Sequence, residues 1–292
     1  MSCDNYNFPI NIKTSNKNGG CSDNCKLECD YHNSSCIATN KGSYISLSYD
    51  KITKPPVKYN NISLDVNEIR IYSPSLHQYE GVNMDGEMVV IHKGNDSNLA
   101  VCIPIKINNE DNDNNLNELI DQCTTYVPND GDTNTLSLSD YNLASYIPVG
   151  SPYITYSSKL PFDCDKYYNV IVFGNKDHYI PITTLNIDTL RKTISSESYN
   201  IDNNMKYFVN SNGVLKNKTN TFIRCYSNNE IPDDLPDKNS IDTKTGDAEG
   251  FEILNNIIED RNSIHIGYII GGSIALYGLY LFMKQVLKKQ KK

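Results

Sequence analysis

Glu68-Ile-Arg-Ile-Tyr72, Gly86-Glu-Met-Val-Val-Ile-His92 and Leu99-Ala-Val-Cys-Ile-Pro-Ile-Lys-Ile107 decide how this chain is read. The first alternates in period two, as a half-buried strand does, and Tyr44-Ile-Ser-Leu-Ser-Tyr49 repeats that pattern. The core of the second, Met88 to Ile91, and the third are continuously apolar, as is Val170-Ile-Val-Phe173, which predicts central strands covered on both faces. Helical signals are few: Leu116 to Cys123, Asn186 to Ile194, and a short stretch from Phe251 to Ile258. The expected class is mainly β, or α+β: a central, twisted, mostly antiparallel sheet with few surface helices.

Ile264 to Met283 is a run of 20 residues without a formal charge, followed by a tail with lysines at 284, 288, 289, 291 and 292. An α-helix rises about 1.5 Å per residue, so about 20 apolar residues cross a hydrocarbon core of about 30 Å. This predicts one C-terminal transmembrane helix, 263–284, and a basic tail, 285–292. Tyr268 and Tyr280 sit near its ends, where aromatic belts form. Gly267, Gly271 and Ala275 make a small-residue ridge that suits a homo-oligomer. The polar opening Met1-Ser-Cys-Asp-Asn-Tyr is no secretory signal, so insertion is expected after synthesis, with the bulk of the chain facing the cytosol. The lysine-rich tail argues for the opposite orientation.

The chain has 27 basic and 35 acidic residues, and five of the lysines lie in the tail. That leaves 22 basic against 35 acidic, or −13, for the rest. So acidic a surface excludes nucleic acid as a partner and leaves sulfated polysaccharide only a local patch such as Lys51, Lys54 and Lys58.

Nine cysteines are many for a cytosol-facing chain. Cys21, Cys25, Cys29 and Cys36 crowd together, while Cys3, Cys102, Cys123, Cys164 and Cys225 are scattered. The spacing of the four fits no zinc-finger or ribbon pattern, so a disulfide-stapled loop is expected, with all nine as candidates and the connectivity open. Sequons at Asn33, Asn61, Asn95 and Asn217 carry little weight in so asparagine-rich a chain. Asn108 to Asn115 reads as an exposed loop, and residues 228–250 read as a polar stalk. The expected organisation is a domain over 1–195 with a Cys-rich insertion at about 20–37, then an extension and stalk over 196–262.

The order of elements from Glu68 to Ile194 resembles the α-class carbonic anhydrases. The carrying residues are Ile69-Arg-Ile-Tyr-Ser73, Ser75-Leu-His77, Gly86 to His92, Tyr146-Ile-Pro148, Tyr153-Ile-Thr-Tyr156 with Leu160, Pro181-Ile-Thr, Thr189-Leu-Arg191 and, near the start, Pro9-Ile-Asn-Ile12. The resemblance implies a zinc site with three histidine ligands, but their places hold Arg70, Tyr72 and Val89. The hydroxyl gate is replaced by Pro161 and the glutamate that orients it by Leu76. A guanidinium has no lone pair to give and an alkyl group has no donor atom, so no metal, no cofactor and no catalysis are expected. Glu87, His77 and His92 fall where the family keeps structural polar residues, and Arg70 is expected in the old metal pocket, paired with Glu87. With the anchor and stalk, the chain also resembles the membrane-anchored, carbonic-anhydrase-like cell-surface-binding envelope proteins of poxviruses, which implies a large DNA virus. The functional expectation is a structural or docking component between a viral membrane and a capsid or coat. Attachment to host glycans is the alternative, and an active carbonic anhydrase the remote one.

Overall fold

A computed structural model describes residues 6–216, apart from 22–23, 96, 111–114, 139–140, 148, 175 and 177. The three deciding segments become neighbouring strands, Ile62–Tyr72, Gly86–Lys93 and Asn98–Ile107. They pair antiparallel, with Val89 opposite both Arg70 and Cys102 and Glu87 opposite both Tyr72 and Pro104. The sheet continues from Asn98–Ile107 to Asp163–Phe173 in parallel, then to Tyr153–Leu160 and Tyr207–Asn210, with Lys17–Gly20 at that edge. In the other direction Ile62–Tyr72 leads to Ile45–Leu47, Cys36–Asn40 and the edge strand Thr133–Leu136. Most ladders are antiparallel, as the alternating segments predict.

Both faces of the centre are buried. Ile69, Ile71, Met88, Val90, Val101, Ile103 and Ile105 face one core, against the helices Asn115–Tyr126 and Thr184–Thr193. Tyr72, Val89, Ile91, Ala100, Cys102, Val170 and Val172 face the other, with Phe8 and Ile10 from the N-terminal segment. This double burial is why these strands read as apolar runs. Both expected helices form, one longer than its apolar core. Helix Thr184–Thr193 starts where the side chain of Thr183 accepts a hydrogen bond from the Asn186 amide. Gly86 is required at its position, because a Cβ there would come within 2.7 Å of the Tyr72 carbonyl oxygen.

Two expectations change. The domain does not end near 195. Tyr207–Asn210 is a strand of the main sheet, and Leu215–Lys216 pairs with Leu27–Cys29. Short, polar and irregular, residues 196–206 give no periodic signal. What they contribute is tertiary: Asp202 bridges Ile10 through backbone hydrogen bonds to Pro9 and Asn11. The extension also holds the Cys-rich insertion, since the Asn210 side chain and the Tyr153 hydroxyl both donate to the Cys25 carbonyl, at 3.0 and 2.6 Å.

The second change concerns the cysteines. Cys21 and Cys25 form a disulfide, and Cys164 is disulfide-bonded as well. Cys29, Cys36, Cys102 and Cys123 are free, buried thiols. They behave as small hydrophobes that pack inward from strands and a helix, and none of the four is bonded to a second sulfur among the described residues. The predicted span, its Gly267, Gly271 and Ala275 ridge, the stalk, the helix at 251–258, Cys3 and Cys225 lie outside the described residues. Among the described residues no helix is long and apolar enough to cross a membrane.

Candidate functional site

Cross-strand partners and alternate residues share a sheet face. Arg70, Tyr72, Val89, Glu87 and Cys102 therefore stand on one face, that of the second core. His77 comes to them from the loop after Ile62–Tyr72. Its Nδ1 lies 2.6 Å from Glu87 Oε1, and its Nε2 lies 2.7 Å from the Tyr156 hydroxyl. Glu87 Oε2 accepts the backbone amides of Leu76 and His77 at 2.7 and 2.9 Å. Cys102 completes the group: its thiol, the Glu87 carboxylate and a His77 nitrogen lie within 4.8 Å of one another, all buried. Burial, then the neighbouring Glu87, raise the Cys102 pKa well above the ordinary range, so it remains a thiol able to donate to that carboxylate.

His, Glu and Cys at this spacing are also a metal-ligand set, and its chemistry can be tested against the hydrogen bonds. Both His77 nitrogens and both Glu87 oxygens are already engaged. A cation would have to displace donors that satisfy a buried carboxylate, so the cluster is a hydrogen-bonded network that seats the loop 73–77 on the sheet.

Beside it lies Arg70. Its guanidinium donates to Glu68 Oε2 from Nε and an Nη at 3.0 and 2.8 Å, and its other Nη reaches the Tyr72 hydroxyl at 3.4 Å. The guanidinium carbon sits 3.8 Å from the centre of the Phe162 ring and 4.5 Å from that of Tyr44. The expected pairing with Glu87 does not occur. Glu68 is two residues away on the same strand face, whereas Glu87 is saturated by Leu76, His77 and Cys102. Burial raises the Tyr72 pKa beyond the reach of neutral pH, against the pull of Arg70, so it is a neutral phenol. Guanidinium, neutral phenol and the Val89 alkyl group form a donor set that does not fit a divalent cation.

Pro161 precedes Phe162 in the turn between Tyr153–Leu160 and Asp163–Phe173, and that turn delivers the ring to Arg70. Leu76 supplies its amide to Glu87 rather than a carboxylate of its own. Tyr199, from the extension, packs on the same core, and Glu197 accepts from the Ser43 hydroxyl at 2.8 Å. His92 stands apart. It is five residues from Glu87 and on the opposite face, where its Nε2 meets the Tyr31 hydroxyl at 2.9 Å. Burial lowers its pKa to about 4, so it is neutral at pH 7. Sequence reasoning missed Cys102 as a member of the cluster and Phe162, Tyr44 and Tyr199 as the surroundings of Arg70. Cys102 was legible from strand pairing, being directly across from Val89, but the other three are brought in by turns without periodic signal.

No protein-family model matches the sequence, and no curated protein does. Solved structures do. The α-carbonic anhydrase of Photobacterium profundum superposes with a TM-score of 0.58 at 14% identity, over 70% of this chain and 88% of that one. The fold is carbonic-anhydrase-like. The α-carbonic anhydrase of Thermovibrio ammonificans, solved with the inhibitor sulfanilamide, gives 0.56 at 16% identity over 70% and 86%. Dioscorin, solved in complex with ascorbate, gives 0.58 at 16% identity over 74% and 88%. Such likeness speaks for the architecture. The chemistry of this chain rests on its own residues.

Proposed function

We propose that the chain is a non-catalytic, membrane-anchored virion protein whose carbonic-anhydrase-like domain serves as a structural or docking component between the viral membrane and a capsid or coat. The observation that carries the loss of catalysis is Arg70, stacked on Phe162 and Tyr44 and paired with Glu68, on the sheet face that also holds Tyr72 and Val89. A zinc enzyme of this kind needs neutral nitrogen donors and an open coordination place for water. A permanent cation stacked on two aromatic rings, with a phenol and an alkyl group on the same sheet face, supports the reading that this chain offers neither. The predicted anchor at 263–284, the acidic composition and the predicted stalk support a tethered role at a membrane surface. The poxvirus resemblance supports a viral setting.

Glycosaminoglycan attachment is less well supported. Of the basic strip, Lys51 pairs with Asp65 and Lys54 with Asp30, each at 2.7 Å, which neutralises the charge that a sulfated chain would seek.

Two measurements test the proposal. The purified full-length chain should hold no stoichiometric zinc by elemental mass spectrometry and should leave the CO2 hydration rate at background. Cross-linking in intact particles should join it to capsid or membrane proteins. Stoichiometric zinc with hydration activity, or recovery only from infected-cell membranes and never from particles, overturns it.

A further inference from the structure

On the sheet face opposite the His77–Glu87 cluster, strand register brings together side chains that the proposed role does not use. Phe208 pairs with Thr155, and two residues along, Ser157 pairs with Asn169. Partners across a ladder point the same way, so the four side chains form two adjacent rows about 6–7 Å apart. With Asn24 and Met205 they line a cleft of about 470 Å3. Its size falls within the roughly 300–1,000 Å3 of small-molecule sites.

The chemistry of the lining is specific. Phe208 is 40% exposed, a large ring left open on a strand that otherwise packs. The Thr155 hydroxyl is satisfied by Tyr59 at 3.3 Å. The side chains of Asn24, Ser157 and Asn169 have no hydrogen-bond partner among the described residues. An aromatic face beside two amides and a hydroxyl, with no buried charge, matches a ring that is apolar on its faces and ringed by hydroxyls. Carboxamides offer donor and acceptor together, as adjacent sugar hydroxyls require. A wholly apolar ligand would leave three polar groups desolvated without partners, which opposes its binding. A phosphorylated ligand would find one rim ammonium, Lys206, already donating to the Ser15 carbonyl at 3.2 Å.

We propose that this cleft binds a single sugar residue, with Phe208 against the ring face and Asn24, Ser157 and Asn169 on its hydroxyls. The inference does not depend on the emptied zinc site, which lies on the other face, and it differs from recognition of a sulfated chain by lysines.

Saturation-transfer NMR on the full-length chain, in a detergent without a sugar headgroup, tests it with the methyl glycosides of N-acetylglucosamine, galactose and mannose at millimolar concentration. At least one should show saturated ring protons, and Phe208→Ala and Asn169→Ala should each weaken binding about tenfold, the loss expected for one good contact. Ser157→Ala, at an exposed hydroxyl, should weaken it several-fold and serves if either other variant alters the melting curve. No saturation for any of the three glycosides, or equal affinity in folded variants, overturns the proposal.

Discussion

The guanidinium carbon of Arg70 lies 3.8 Å from the centre of the Phe162 ring, and the same guanidinium donates to Glu68 Oε2 at 2.8 Å. Planarity lets one group stack while two of its N–H groups donate to the same carboxylate oxygen, which an ammonium cannot do. Arg70 is thus built into the domain rather than displayed by it.

Replacing Arg70 by Ala removes the stacking on Phe162 and Tyr44 and leaves Glu68 without its cation. A loss of about 2 kcal/mol is expected from a partly desolvated cation–π pair and a charged hydrogen bond. Arg70→Lys should recover less than half of it. Urea unfolding of the three proteins gives the comparison, and equal midpoints would show that the stack is incidental.

Glu87→Ala strands the amides of Leu76 and His77, the His77 ring and the Cys102 thiol in a dry core. Removing one partner of a buried ionic network costs about 3–5 kcal/mol, so this variant should be the least stable of those named here. Thermal melts would show it, and a drop in Tm no larger than that of a surface Glu→Ala control would contradict the network.

His92 makes stability fall with acid. Its folded pKa is lowered to about 4 from the ordinary 6.5, so between those values the unfolded chain binds a proton that the folded chain refuses. Stability is therefore full above pH 6.5 and declines as pH falls toward 4. The interval of about 2.5 units corresponds to about 3 kcal/mol. His92→Gln should flatten the pH 4–6.5 limb of the stability curve measured by urea unfolding. An unchanged slope would assign the acid sensitivity to the carboxylates instead.

Burial pushes the Cys29 and Cys36 pKa values up to about 12, and those of Cys102 and Cys123 also rise. Reactivity belongs to the thiolate, so all four should resist iodoacetamide at pH 8 in the native chain and react once it is denatured. Peptide mass spectrometry after native and denatured labelling distinguishes the cases. Native labelling of Cys102 would mean that the cluster opens to solvent.

Much of the sheet was legible before any coordinates. The runs at 88–91, 99–107 and 170–173 are central strands because a strand covered on both faces must be apolar throughout, a property written in composition alone. Both helices were legible from period 3.6. That the guanidinium of Arg70 and the alkyl groups of Val89, Leu76 and Pro161 offer no lone pair could also be read, because that is true of those side chains in any fold. Legibility failed for segments whose contribution is long-range. Residues 196–216 carry no period, yet they complete the sheet and brace the Cys-rich insertion. The counter-ion of Arg70 failed too, since Glu68 and Glu87 are both close in sequence and only the occupancy of Glu87 by Leu76, His77 and Cys102 separates them.

By itself, the sequence determined what each side chain can donate, accept or bury, and hence the central strands and the acidic balance. Those are local properties of residues and of their periodicity. Tertiary structure alone decided which sulfurs meet, which carboxylate receives Arg70, that His92 faces away from His77, and that Phe208 and Asn169 share a cleft. Each of these depends on strand register and on turns that bring residues distant in the chain within a few ångströms, and no local pattern encodes that distance.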